Sequence, residues 1–140
     1  MPDSSDIDAA LIATLRGDAA LTALLPDGVF MDVGPPNLQR FALVSVVIAE
    51  DSSVFQHRGI EDIVYLVKAV VREADGADPK AAAARIDALL EDQPLTVPGY
   101  AWMTVHRVER LQTTEVDEVD TLIRWQHRGG RYRVEMSVIQ

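Results

Sequence analysis

The 140-residue sequence contains no cysteine, which excludes a disulfide scaffold, a thiol nucleophile and any zinc or iron–sulfur site built on cysteine. Long apolar runs are also missing: Phe41–Ala49 and Ile63–Val71 are about nine residues each, too short for a membrane-spanning helix. The amino-terminal residues are acidic and polar, unlike the basic start of a secretory signal peptide. We therefore expect a protein that is assembled in the cytoplasm and has no membrane partner.

Positive charge is scarce, since 13 Lys and Arg stand against 22 Asp and Glu, a formal net charge of −9. Residues 1–95 carry 7 basic and 16 acidic side chains, whereas residues 96–140 carry six of each. Binding to phosphates needs a positive surface, so this balance disfavours a monomeric nucleic-acid-binding protein. Hydrophobic residues make up 48% and charged residues 25%, as in ordinary globular proteins. The length predicts a single domain, residues 1–140.

Apolar periodicity predicts two short helices followed by three strands in the first half of the chain. The second strand is apolar on both faces, which indicates a central, covered position in a sheet. The polar segment that follows it, Glu50–Gly59, is predicted to link a hairpin. The helices are predicted at Ile7–Leu15 and Asp18–Leu25, and the strands at Val29–Met31, Phe41–Ala49 and Ile60–Arg72.

The second half predicts a helix and two further strands. Asp78 is the expected helix cap and Pro79 the first helical residue of an alanine-rich helix that ends near Glu91. Strands are predicted at Tyr100–Leu111 and Arg131–Val138, while the pattern of residues 112–130 supports no assignment. The order ααβββαββ predicts an α+β fold, an antiparallel-rich mixed sheet of four to five strands with two to three helices packed on it.

No catalytic, metal or cofactor site emerges from the residue pattern. The three histidines lie in separate segments without metal-ligand spacing, and no serine sits in a GxSxG elbow. Glycine-rich phosphate-binding loops are missing as well. Trp102 and Trp125 are explained by a core or a subunit interface. We therefore predict that the protein is not an enzyme and holds no cofactor.

Several features in a fixed order resemble the tail-completion, or tail-terminator, family of long-tailed bacteriophages and gene-transfer particles. The similarity extends from about Ile7 to Val138. It rests on the opening helix, the helix Asp18–Leu25, the segment Gly28–Phe30, the loop Gly34–Pro36, the strands from Phe41 and Ile60, the helix Ala81–Leu90 with Leu95 and Gly99 after it, and the closing strand Tyr132–Val134.

This resemblance implies a non-enzymatic virion protein that acts at the head-tail junction. Such a protein closes into a ring with itself, typically a homohexamer, on the upper end of the tail tube protein. The ring stops tube polymerisation and gives the head-tail connector, or stopper, protein a surface to dock on. DNA passes through the lumen without specific binding, and an acidic wall suits that task because it repels phosphates. An unpaired edge strand offers one way to contact the next copy.

Two exposed segments are the candidate sites. The first, Glu50–Gly59, is a candidate lumen-facing or tube-facing loop through Phe55, His57 and Arg58. The second is an acidic run followed by arginines, a candidate contact with another subunit or the connector. Its residues are Glu115, Asp117, Glu118, Asp120, Arg124, Arg128, Arg131 and Arg133.

Two other functions stay open at the level of sequence. A neck or head-completion protein, acting as a stopper or adaptor, has the same size and ring geometry. A small soluble α+β ligand-binding domain or enzyme would need a pocket with converging polar groups.

Overall fold

The structure, a computed structural model, describes residues 3–54, 57–72 and 77–139, except for the side chains of residues 51–54, 57–58 and 102–103. Within these ranges it contains three helices and five strands. Their order is the predicted ααβββαββ, and the α+β class is confirmed. The elements are α1 Ser4–Arg16, α2 Ala19–Leu24, β1 Val29–Met31, β2 Arg40–Val54, β3 His57–Arg72, α3 Ala77–Leu90, β4 Tyr100–Val116 and β5 Arg124–Val138.

The strands form one mixed sheet in the order β1-β2-β3-β5-β4. The short β1 pairs in parallel with β2, and the three other pairings are antiparallel. Two of the antiparallel pairings, β2–β3 and β4–β5, are hairpins between consecutive strands, and the sequence predicts the first of them, whereas β3 and β5 are separated in the chain by α3 and β4. Strand β1 and the far part of β2 form one edge of the sheet, and β4 forms the other.

The core lies between the sheet and the helices, and its strand residues follow the predicted alternation. On β3, every second residue from Ile63 to Val71 is buried, and on β5 the same holds from Tyr132 to Val138. Burying such side chains stabilises the fold by about 1.5–3 kcal/mol each for the larger aliphatic ones. Helices too short to persist alone are held by this packing. They contribute Ile7, Leu11, Leu15, Leu21, Ala82, Ile86 and Leu90.

Buried tyrosines fasten the helices to the sheet. The Tyr65 hydroxyl donates to Asp8 of α1, and the Tyr132 hydroxyl donates to Asp87 of α3 over 2.9 Å. Burial, followed by the hydrogen bond to a carboxylate, raises the pKa of both phenols. Both hydroxyls thus stay protonated donors.

Four predicted strand ends differ from the structure for the same physical reason, and the predicted start of α3 differs as well. Strands β2 and β3 continue through most of Glu50–Gly59, and β4 and β5 occupy most of residues 112–130, leaving only a tip at 117–123. A polar sequence marks exposure to solvent rather than the end of a ladder, and solvent-facing strands pair equally well. Helix α3 begins at Ala77, before the predicted cap at Asp78.

The prediction that Phe41–Ala49 is centrally covered is also wrong for its second half. Strand β1 is only three residues long and flanks β2 from Ala42 to Val44. Beyond that point β2 is an edge strand, and Val46, Val47 and Ile48 are exposed. The run is apolar along its whole length, so the sequence alone does not reveal where the neighbouring strand ends.

Asp18 joins α2 to α3 and makes the fold sensitive to acid. Its carboxylate caps α2 by accepting from the Leu21 N–H at 2.9 Å, and it accepts two hydrogen bonds from Arg85 at 2.8 and 2.6 Å. The Arg85 hydrogen bonds first, then the Leu21 N–H, lower the pKa of Asp18 from 3.8 to about 2. A carboxyl with a lowered folded-state pKa stabilises the fold above its unfolded pKa, and that stability is lost as pH falls towards the folded value.

We expect Asp18→Asn to lower the Tm at pH 7 and to have a much smaller effect at pH 2. The reason is that the wild-type carboxyl itself becomes protonated between about pH 4 and pH 2. Thermal unfolding followed by circular dichroism at both pH values measures this. An equal difference between the two proteins at pH 7 and pH 2 would contradict the assigned role of the Asp18 charge.

Candidate assembly surfaces

Histidine and carboxylate side chains are the groups from which a metal or acid–base site would be built. No group of three histidine, aspartate or glutamate side chains in the described part of the chain is arranged to hold a metal ion. None of the helices in that part is both long enough and apolar enough to cross a bilayer. His127 is buried and lies 2.9 Å from Glu115, and burial lowers its pKa. His106 lies on β4, 3.4 Å from Glu91, and is far from Thr113, the β4 residue that pairs with His127.

The two candidate segments lie at opposite ends of the sheet. The hairpin end of β2 and β3, at Val54 and His57, lies beside the last residues of β5, because Ile60 of β3 pairs with Ser137 of β5. The β4–β5 hairpin ends at residues 117–123, beyond the pairing of Arg72 with Trp125. The strand length between these pairings corresponds to roughly 40 Å. One molecule therefore presents two projections that point away from each other.

The first projection holds His57 and Arg58 as paired strand residues rather than as a free loop. Their backbones pair with Val54 and Ser53. Phe55 lies outside the described residues, and so do the side chains of His57 and Arg58. The assignment of these three residues to the lumen or tube stays a prediction.

The second projection, the tip at residues 117–123, is built by its own acids. Asp117 accepts from the Asp120 N–H at 2.9 Å, the Val119 N–H at 3.1 Å and the Trp125 indole N–H at 3.3 Å. The Asp120 N–H is the largest cause of the lowered pKa of Asp117. Asp120 in turn accepts from the Leu122 N–H at 3.0 Å. Glu118 is exposed at the tip.

Two exposed apolar side chains at this tip were not predicted from the sequence as functional residues. Val119 is 95% exposed and Leu122 is 87% exposed. The signal was available, because both interrupt an otherwise acidic segment. Because the two lie together on one hairpin tip, they make this tip a candidate surface for contact with another protein.

The four arginines do not gather against the acidic run. Arg124 donates to the carbonyl oxygens of Thr121 and Ile123, and Arg131 lies 3.9 Å from Glu109. Arg133 is already paired with acidic residues of the same chain, whereas Arg128 lies in a groove beside α3. The guanidinium of Arg133 bonds to Asp62 and lies 3.4 Å from Glu135. Their role in contacts with other chains stays a prediction.

The sheet has two lateral edges with no partner strand in the described chain. One edge is β1 followed by β2 from Ser45 onward, and the other is β4. Part of the β4 edge is already bonded to the segment after α3, since Asp92 donates its N–H to the Val105 carbonyl and Glu91 accepts from the Arg107 N–H. Register shifts interrupt both strands, next to Val47 on β2 and next to Val108 on β4. Bulges of this kind are common at sheet edges, where they bend a strand.

The sheet is curled, so its helix-free face is concave. Ile48 of β2 and Val108 of β4 line the same cavity of about 260 Å³, although they belong to opposite edges. Val64 and the Arg133–Asp62 pair form its floor. This face is therefore partly apolar and has no covering helix.

Residues 9–136 match the family described as Tail completion protein gp17. The chain belongs to this family. No curated protein matches it. Among solved structures, a chain from the virion of a native gene transfer agent (GTA) particle is 23% identical to this tail-completion protein, with a TM-score of 0.67 over 96% of each chain. A second solved chain is 16% identical, with a TM-score of 0.60 over 100% of this chain and 98% of that one.

Family membership confirms the resemblance inferred from the sequence. The protein is a tail-completion structural protein, a bacteriophage-type virion component that contacts other tail or head proteins. The two solved chains share its fold. The surfaces described above are where such contacts are to be sought.

Proposed function

We propose that this tail-completion protein closes into a ring, typically of six copies, on the upper end of the tail tube. The ring stops tube polymerisation and gives the head connector a surface to dock on. The observation that carries the proposal is the family match over residues 9–136. The protein acts by contact and not as an enzyme.

The lateral edges of the sheet are the proposed contacts between copies. A row of unpaired N–H and C=O groups readily pairs with another strand. Because the β2 and β4 edges differ, a contact between β4 of one copy and the β1–β2 edge of the next is head-to-tail. Such a contact builds a ring when the rotation closes. The contact would also cover the exposed side chains of Ile48 and Val108.

The two projections are the proposed axial contacts. The hairpin end with Phe55, His57 and Arg58 meets the tube or lines the lumen. The tip with Glu118, Val119 and Leu122 meets the connector. Projections at opposite ends of the strands let one ring touch both partners at once.

The acidic balance of the chain suits the passage of DNA. Six copies at −9 each would carry −54 formal charges. Phosphates are repelled by such a surface, so DNA would cross the ring without specific binding.

The test separates capping from docking. Tube protein is polymerised with and without this protein, tube lengths are measured by electron microscopy, and purified heads are then added. We expect shorter, capped tubes that join heads. We expect Leu122→Asp to cap tubes normally and to join heads poorly, because a charge replaces an apolar contact at the tip. Unlimited tube growth, with the protein bound to heads alone, would reject the terminator role and favour the neck-side stopper or adaptor.

A further inference from the structure

A basic groove lies between α3 and the β4–β5 hairpin. The cavity measures about 330 Å³, and its lining includes Lys80, Arg107, Arg110 and Arg128 with Asp87 as the one acid. Four cations around one cavity are unusual in a chain of net charge −9. The groove borders β4 and is therefore close to one lateral edge of the sheet.

Three of the four cations have no acidic partner within the described ranges. Asp87 is already engaged, since it accepts from the Tyr132 hydroxyl and lies 3.3 Å from Arg107. In those ranges no carboxylate lies within 4 Å of the charged nitrogens of Lys80, Arg110 or Arg128. The Nε of Arg128 is buried and has no hydrogen-bond partner there. A buried donor without an acceptor is costly, so the groove suits an anionic group.

The opposite edge of the sheet carries a matching acidic and apolar pair. Asp32 follows β1 with φ of 62°, a conformation that few residues other than glycine, asparagine and aspartate adopt. Its N–H donates to the Val44 carbonyl at 2.8 Å, which fixes the backbone against β2. Its carboxylate is exposed and unpaired within the described chain. The next residue, Val33, is 80% exposed.

The groove and this pair lie at the same level along the strands. Met31 pairs with Val44, which pairs with Val67, which pairs with Gly130, which pairs with Arg110. Asp32 is one residue beyond Met31. A rotation about an axis roughly parallel to the strands thus brings Asp32 of one copy towards Arg110 of the next.

We propose that the Asp32–Val33 pair of one copy docks in the basic groove of the next copy. The Asp32 carboxylate accepts hydrogen bonds from the groove cations, and Val33 packs on Leu111 and the neighbouring alanines of α3. The inference rests on the proposed ring and identifies its electrostatic contact. A DNA phosphate is the less favoured occupant, because it makes no apolar contact with Leu111 and the alanines of α3 and is repelled by the net negative charge of the chain.

The absence of native cysteine makes the contact directly testable. Asp32→Cys and Arg110→Cys are introduced together, and the protein on capped tubes is treated with a short homobifunctional maleimide, because a direct disulfide bridges only Cα atoms less than about 7 Å apart and an aspartate–arginine pair is longer. On a non-reducing gel we expect a ladder of covalent multimers that ends at the ring size. Mixing the two single variants should give only dimers that contain one of each. Asp92→Cys with Arg110→Cys is the matched control. Asp92 is also exposed, has φ of 53° and donates its N–H to a strand carbonyl, that of Val105 at 2.9 Å.

A charge swap supplies the second readout. Asp32→Lys and Arg110→Glu should each weaken assembly on the order of tenfold, and the two together should restore it. If the double cysteine variant caps tubes with rings but yields no ladder with the maleimide, the inference is overturned while the ring stands. Doubly linked dimers alone, or loss of DNA binding in Arg110→Glu with unchanged assembly, would overturn it too. Wild-type protein that never forms a ring would instead reject the proposed function.

Discussion

Gly129→Ala is expected to destabilise the protein more than any other small substitution on the sheet. A Cβ at Gly129 would lie 2.0 Å from the Val67 carbonyl oxygen and 2.6 Å from the Lys68 Cα. Both are backbone atoms of β3, so no rotamer change relieves the clash. The central β3–β5 pairing has to shift, and the cost is expected to reach at least the roughly 1–3 kcal/mol of ordinary overpacking. Thermal unfolding should show a fall in Tm of roughly 5–10 °C.

Gly17→Ala is the matched control for this substitution. Gly17 follows α1 with φ of −78°, which any residue adopts, and a Cβ there would lie 3.2 Å from the Ala13 carbonyl. We expect its Tm to stay close to that of the wild type. If Gly129→Ala unfolds at the wild-type temperature, the close approach of β5 to β3 at this point is wrong.

Ile48→Lys is expected to abolish ring assembly while the single chain stays folded. The side chain is 52% exposed on the free part of β2, so lysine costs the isolated fold little. Lysine on an edge strand is a common means of preventing edge-to-edge pairing. In a ring it would place a charge in each lateral contact. We expect tube capping to fall at least on the order of tenfold, as for other buried interface charges.

Leu122→Lys controls for the loss of an exposed apolar side chain. Leu122 is 87% exposed at the tip of residues 117–123, away from both lateral edges and at the opposite end of the sheet from the proposed tube contact. Its lysine variant should cap tubes as the wild type does. Circular dichroism and sedimentation of each purified variant show whether the chain is folded. Normal capping by a folded Ile48→Lys protein would remove the β2 edge from the proposed interface.

The sequence predicted the element order and the buried faces because those signals are local. The alternation from Ile63 to Val71 and from Tyr132 to Val138 reports directly which face of a strand is buried. Strand ends were missed where polar residues pair in solvent, as in Glu50–Gly59. The exposed end of β2 was missed because its burial depends on the length of β1, a separate segment.

The surfaces were only partly predictable. The acidic tip was visible as a run of charge, and its exposed Val119 and Leu122 could have been noticed as apolar exceptions. The basic groove was not, since its cations come from α3, β4 and β5 and meet only in the folded chain. Asp32 was not predicted either, because its left-handed backbone and the hydrogen bond from its N–H to the Val44 carbonyl exist only in the folded chain.

Imaging the head-proximal end of purified tails tests the proposed ring most directly. Averaged electron micrographs viewed along the tube axis should show a closed cap with six-fold symmetry. In that cap, the β4 edge of each copy should lie against the β1–β2 edge of the next. Tails that end in bare tube while the protein is present and folded would contradict the proposal.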